Sequence, residues 1–246
     1  MACSTTKREI YKRQWEGTQV KKVISFSLWG DDTKYTFGAI QNASLGLVVY
    51  PDWICRFHVG KSTPSYITDH LREYENTEVI EREEDGDWTG MFWRFHDASD
   101  PDVEVMLSRD CDSRLWFREK AAVDEWLSGD KSFHIMRDHP AHGVPILGGM
   151  WGVRNQKLSN MKDLCNSYGQ ENKWQTDQNF LRDVVWPLVH DDSHINDLFF
   201  DKTGFPGGEW DEDHFVGQSY KGTGMRFAHG EQYFQEYIKK TIKYEN

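Results

Sequence analysis

The chain has 246 residues, 38% of them hydrophobic and 28% charged, with a formal net charge of -11. That length builds a core without disulfide staples, the acidic balance argues against a broad nucleic-acid face, and no apolar run reaches the roughly 18 residues of a membrane span. The opening MACSTTKREIYKRQWEG holds no apolar stretch after its charges, and the four cysteines contain no C-x-x-C pair, so a cytoplasmic protein with free thiols is expected.

Residues 1–20 read as a polar arm, followed by one domain over 21–246 with an elaborated second half. Residues 23–28 are β-rich and end at the turn Gly30-Asp31-Asp32. Phe37, Ile40, Ala43 and Leu47 give residues 35–50 a helical period. A second strand is expected over 54–59 and a helix start at Thr63-Pro64, with Thr63 as cap. Short strands are expected over 77–80 and 103–107, flanking a solvated acidic loop (81–87) and a helix over 89–98. A helix near 119–127 and a strand over 133–136 follow. The Gly-interrupted apolar run 146–153 reads as a strand that another group approaches closely. Residues 174–186 read as a helix capped by Thr176, 190–229 as loop, and 230–243 as a C-terminal helix. Strand and helix alternating at this spacing predict an α/β fold: a mainly parallel sheet, helices on both faces and a loop-rich C-terminal half.

In such a sheet ligands collect at the carboxyl ends of strands, here after Leu28, Val59, Leu107 and Met136. The strongest motif, Asp110-Cys111-Asp112, follows one of these strands. Two carboxylates at that spacing can converge on a hard cation, Mn²⁺ or Mg²⁺, which neutralises charge on a diphosphate; the alternative is a turn using Asp for local hydrogen bonds. Cys111 is expected to be a small buried residue. His214, in a Gly-rich polar stretch, offers an imidazole nitrogen to the same ion. The sequence lacks G-x-x-x-x-G-K-[ST], and no G-x-G-x-x-G follows the first strand, which excludes a P-loop and disfavours a dinucleotide fold.

The order of Asp110-x-Asp112 after a strand, Gly148-Gly149 in an apolar run, Asp177-Gln178 opening a helix and His214-Phe215-x-Gly217 near the end resembles the metal-dependent glycosyltransferases of the GT-A fold, above all the glycogenin-like retaining type. The resemblance implies that Asp110, Asp112 and His214 hold Mn²⁺ (or Mg²⁺) on a nucleoside diphosphate. It implies that Arg94, sixteen positions before Asp110, faces the phosphates, and that Asp177, Gln178, Gly148 and Gly149 line the donor sugar. Leu28, Trp29 and Tyr35 fall where such enzymes bind the nucleoside; packing is the alternative for both aromatics. The family's phosphate lysine matches Lys221 one place late, and its Pro-Trp is absent. Residues 137–154 are also similar to small glycosyltransferase-like proteins of unassigned specificity, some encoded by large DNA viruses of algae.

The expected activity is transfer of a sugar from a UDP- or GDP-sugar to a glycan or glycoprotein hydroxyl, with retention. Residues 21–115 would form the nucleotide-binding half and 116–246 the donor-sugar and acceptor half. For an inverting enzyme, Asp177 or Asp138 would be the base. Trp88, Trp93, Trp151, Trp174 and Trp210 flank the site segments. A non-catalytic nucleotide-sugar-binding module and another divalent-metal phosphoester enzyme are the alternatives.

Overall fold

The structure is a computed structural model and describes residues 20–169, 172–211 and 214–220. The polar arm up to residue 19, Lys221 and the helix expected over 230–243 lie outside the described residues. In chain order the elements are β1 (Lys21–Leu28), α1 (Thr33–Val49), β2 (Ile54–Val59), α2 (Ser65–Glu73), β3 (Thr77–Glu81), a 3-10 helix (Trp88–Ser99), β4 (Val103–Ser108), α3 (Phe117–Ser128), β5 (Phe133–Arg137), β6 (Trp151–Arg154), α4 (Met161–Ser167), α5 (Thr176–Phe180), α6 (Trp186–Val189) and β7 (Ser193–Asp197). A π-helical turn, Leu181–Val185, joins α5 to α6. Seven strands form one sheet in the order β3-β2-β1-β4-β6-β5-β7. Neighbours run parallel except around β6, which is antiparallel to both β4 and β5.

Alternation along β1 explains why the sheet is covered on both faces. Ile24, Phe26 and Leu28 pack with Ala39, Ala43, Leu71, Val123 and Trp126. Val23 packs with Phe92, Phe95, Met161 and Phe180 on the other side. On that second face Ser25 and Ser27 are also buried, and their hydroxyls fix the 3-10 helix. Ser25 Oγ donates to Asp97 Oδ2 at 2.6 Å, and Arg94 N–H donates to Ser27 Oγ at 3.0 Å. From β2, Arg56 Nη1 and His58 Nε2 meet Asp97, each at 3.0 Å. Ser25, Arg56 and His58 thus meet on Asp97, and Ser27 pairs with the Arg94 N–H, which is what makes the burial of these polar groups tolerable. The result is a fixed position for Arg94, beneath the end of β4.

Five local readings change. Residues 146–150 are a turn, and only Trp151–Arg154 pair as a strand. The 89–98 segment is 3-10 rather than α. Pro64, not Thr63, holds the cap position of α2, and α5 begins from Gln175 in a left-handed conformation (φ 67°) with no side-chain cap from Thr176. β7 lies within the stretch expected to be loop. Its sequence, Ser-His-Ile-Asn-Asp, holds one aliphatic residue, and edge position together with β5 as template stands in for the missing hydrophobic pattern. Among the described residues no helix is long and apolar enough to cross a membrane.

Candidate active site

β4 ends in a tightly anchored loop. Arg109, 2% exposed, donates from Nε to Glu119 of α3 at 2.7 Å and from Nη1 to the carbonyls of Ser108 and Trp151. Asn42 of α1 grips the far side, accepting from Leu115 N–H at 3.0 Å and donating to Ser113 O at 2.9 Å. Gly38 lets α1 come this close: a Cβ there would collide with Cys111 O and stand 2.9 Å from Arg114 Nη1. The approach carries Lys34, in the first turn of α1, onto Asp112, with Nζ 2.6 Å from Oδ2. Cys111 is buried between the two aspartates, its Sγ 3.4 Å from Ser27 O. Burial and the flanking carboxylates push its thiol far up, so it is not a thiolate nucleophile.

Arg94 is the centre of the site. Only 2% exposed, it bonds Asp110 through Nη1 and Asp177 Oδ2 through Nη2, the latter at 3.0 Å. Residues from the 3-10 helix, the β4 loop and α5 therefore meet at one guanidinium. The fork geometry of arginine suits a bridge between two carboxylates. Gly148 and Gly149 close against the same cluster. A Cβ on Gly149 would run into the Asp110 carboxylate, and one on Gly148 would stand 2.9 Å from Asp177 Oδ2. Ser108 Oγ donates to Gly148 O at 2.6 Å and holds that turn in place. Gln178, with its amide turned to satisfy both partners, donates to Ile146 O at 3.1 Å and accepts from Gly148 N–H at 2.7 Å. Burial, then Asp110, raise the Asp177 carboxyl above its usual range against the pull of Arg94. Asp112 is raised by burial and by Asp110, with Lys34 opposing. Carboxylates gathered at the end of a strand and neutralised by two side-chain cations make a donor set that fits a hard divalent cation.

The C-terminal segment is strapped over this loop. Asp138, fully buried, takes a bidentate bond from Arg118 of α3 (2.8 and 2.9 Å) and the Val216 N–H at 3.0 Å. Arg118 also donates to Pro206 O and Gly208 O. Trp210 Nε1 donates to Asp138 O at 2.8 Å. A Cβ on Gly217 would strike Met150 Sδ, and Tyr220 N–H donates to Asp112 O at 2.8 Å. Asp138, the candidate base for an inverting reaction, is thus buried and held by a guanidinium and an amide. His214 Nδ1 lies 3.0 Å from Asp211 Oδ2. Among the described residues no three His, Cys, Asp or Glu side chains converge in a metal-holding group.

The segment after β1 is tightly packed. Leu28 is a core residue, 1% exposed, and its carbonyl accepts from Gly60 N–H at 2.9 Å. Trp29 lies on Gly60, Gly86 and Gly90 and meets Trp93 edge-on at 6.0 Å. Tyr35 is half-buried, with Lys34 Nζ 4.9 Å from its ring centre. Lys34, Arg118 and Gly38 carry much of the site's geometry and belong to no motif. The one local signal was Asp32, whose side chain caps α1 through Lys34 N–H at 2.8 Å.

No family model matches the sequence, and no curated protein matches it. Among solved structures, a glycosyltransferase involved in the glycosylation of the major capsid of PBCV-1 is similar over 86% of this chain and 99% of its own, at TM-score 0.54 and 15% identity. The mannosyltransferase PcManGT from Pyrobaculum calidifontis, solved with GDP-Man and Mn²⁺, is similar over 79% of this chain and 61% of its own, at TM-score 0.51 and 9% identity. At such identities the likeness establishes the fold: a GT-A-like α/β architecture built on a mainly parallel sheet.

Proposed function

We propose that this chain is a glycosyltransferase that moves a sugar from a UDP- or GDP-sugar to an acceptor hydroxyl, dependent on Mn²⁺ or Mg²⁺ and retaining anomeric configuration. The observation that carries the reading is the Arg94 bridge between Asp110 and Asp177 beside the Gly148-Gly149 turn, at the strand ends of a GT-A-like sheet. Asp110 and Asp112 would hold the cation; the family resemblance adds the His214 imidazole, which among the described residues does not converge with them in a three-ligand group. A divalent ion bound there supplies charge stabilisation to a departing diphosphate. The chain's own groups do the rest. Arg94 fixes both carboxylates. The two glycines let their turn close directly against both carboxylates, where a Cβ would collide. Asp177 and Gln178 face the sugar position, and a carboxylate there favours positive charge at the anomeric carbon. In the transfer the bond from that carbon to the diphosphate oxygen breaks. The acceptor oxygen bonds in its place, and its proton leaves to the departing phosphate oxygen.

The acceptor side is read from two exposed indoles. Trp174, three residues before Asp177, is 68% exposed, and Trp88, at the start of the helix bearing Arg94, is 40% exposed. Trp88 N–H donates to Asn172 Oδ1 at 3.2 Å, joining the two segments. Indole faces suit the C–H faces of a glycan. Residues 21–115 form the nucleotide-binding half in this reading and 116–246 the sugar half.

The test is a panel of UDP- and GDP-sugars with and without Mn²⁺, followed by thermal shift and by release of nucleoside diphosphate. A metal-dependent rise in melting temperature with release from at least one donor supports the reading, because ligand binding stabilises the native state by mass action. Binding without release assigns a nucleotide-sugar-binding module; no shift with any donor refutes both.

A further inference from the structure

The two cations that neutralise the site carboxylates are held very differently. Arg94 is 2% exposed and is fixed by Asp110, Asp177, the Arg109 carbonyl at 3.3 Å and its own N–H on Ser27. Nothing short of rebuilding the helix would move it. The Lys34 side chain is 26% exposed, and among the described residues it meets, besides Asp112, the Tyr35 hydroxyl at 3.5 Å and the Tyr35 ring. Its four-carbon stem rotates freely and its ammonium has three donors in no fixed plane.

The charges of the cluster also do not balance. Asp110, Asp112 and Asp177 face Arg94 and Lys34, three carboxylates against two cations. A divalent cation entering between Asp110 and Asp112 would compete directly with Lys34 for the Asp112 oxygen. It would also turn the net charge positive, leaving a cluster ready for phosphate oxygens, for which ammonium is a good point-charge partner.

We infer that Lys34 is an exchangeable counter-ion: it neutralises Asp112 until a divalent cation takes that carboxylate, and the released ammonium then binds the phosphates of a nucleoside diphosphate. The phosphate half rests on the nucleotide-sugar reading above; the counter-ion half does not. Lys34 is placed for the second task by its position in the first turn of α1, where the helix dipole favours anions at the same end. The exchange makes no covalent bond and moves no proton.

Isothermal calorimetry separates the two halves, using Mn²⁺ alone and then UDP and GDP at saturating Mn²⁺, on wild type and on Lys34→Met and Lys34→Arg. With its competitor gone, Lys34→Met is expected to bind Mn²⁺ alone more tightly than wild type, by about three-fold or more. The same variant is expected to bind UDP or GDP about ten-fold more weakly, the loss of one charged hydrogen bond. Lys34→Arg, which keeps a cation, restores most of the diphosphate affinity. A merely structural lysine would weaken both affinities together. Unchanged or weaker Mn²⁺ binding in Lys34→Met overturns the counter-ion half, and unchanged nucleotide affinity overturns the phosphate half. If wild type binds Mn²⁺ but neither UDP nor GDP, the phosphate half falls together with the proposed function. The Mn²⁺ comparison then still decides the counter-ion half.

Discussion

Arg118→Met isolates the strap that holds the C-terminal segment over the site. Arg118 is 4% exposed and Asp138 is fully buried, and two bonds of 2.8 and 2.9 Å join them. Removing the guanidinium leaves Asp138 in the interior with the Val216 amide as its remaining side-chain partner among the described contacts. Breaking one side of such a pair costs about 3–5 kcal/mol, mostly the penalty of an uncompensated buried charge. For a domain of this size each kcal/mol lowers the melting temperature by about 2–4 °C, so a fall of about 6–20 °C is expected. Replacing both partners with apolar residues, Arg118→Met with Asp138→Leu, should recover most of that loss, because no charge is then stranded. Urea and thermal melts of wild type, both single variants and the double give the coupling energy directly. Limited proteolysis reports the strap itself, since Arg118→Met also removes the donors to Pro206 O and Gly208 O and should speed cleavage within 205–220. A single variant within about 1 kcal/mol of wild type, or a double variant no more stable than Arg118→Met, refutes the assignment of Asp138 as an anchor.

Other outcomes follow from the same geometry. Gly149→Ala pushes a methyl into the Asp110 carboxylate; overpacking of this kind costs about 1–3 kcal/mol, and nucleotide release should fall at least about ten-fold, so a variant retaining half its activity would contradict the placement. Trp174→Ala should lower transfer to a glycan acceptor while leaving donor hydrolysis and stability within about 0.5 kcal/mol of wild type; equal loss of hydrolysis and transfer would remove the indole from the acceptor side. Burial holds His134 down at about 3, and burial with His139 holds His142 at about 4. Both are neutral in the native state, whereas the unfolded chain protonates near pH 6.5. Their contribution is thus present at neutral pH and lost as pH falls from about 6.5 toward those native values, at up to about 1.4 kcal/mol per pH unit for each. His134→Gln should flatten the dependence of the urea midpoint between pH 7 and pH 5, and an unchanged slope would show that the histidine is not buried neutral.

Much of the sheet was legible because its strands announce themselves. Residues 23–28, 54–59 and 103–107 combine β-branched and aromatic residues with turn signals on either side, and a fully buried parallel strand needs little else. β7 was hidden because an edge strand templated by β5 requires no hydrophobic pattern of its own. The 146–150 turn was hidden for the opposite reason: its apolar residues serve core packing and its glycines serve close approach, so a strand-like composition encodes a loop.

The site divides along a similar line. Asp110, Asp112, Arg94, Asp177 and the Gly148-Gly149 pair were readable from spacing and resemblance, and the structure brings Arg94, Asp110, Asp177 and both glycines into mutual contact. For Asp138 only the fold names the partner: a carboxylate at a strand end looks the same in sequence whether it faces solvent or, as here, a buried guanidinium twenty residues earlier.

What the sequence alone determined, then, is an acidic α/β chain with paired carboxylates after a central strand, because strand pattern and motif spacing are local properties. Only the tertiary structure decided which cation each carboxylate meets. Lys34 reaches Asp112, and Arg118 reaches Asp138, across 78 and 20 positions of chain. A partner chosen through packing at a glycine or through burial on a neighbouring helix leaves no mark at either residue until the chain has folded.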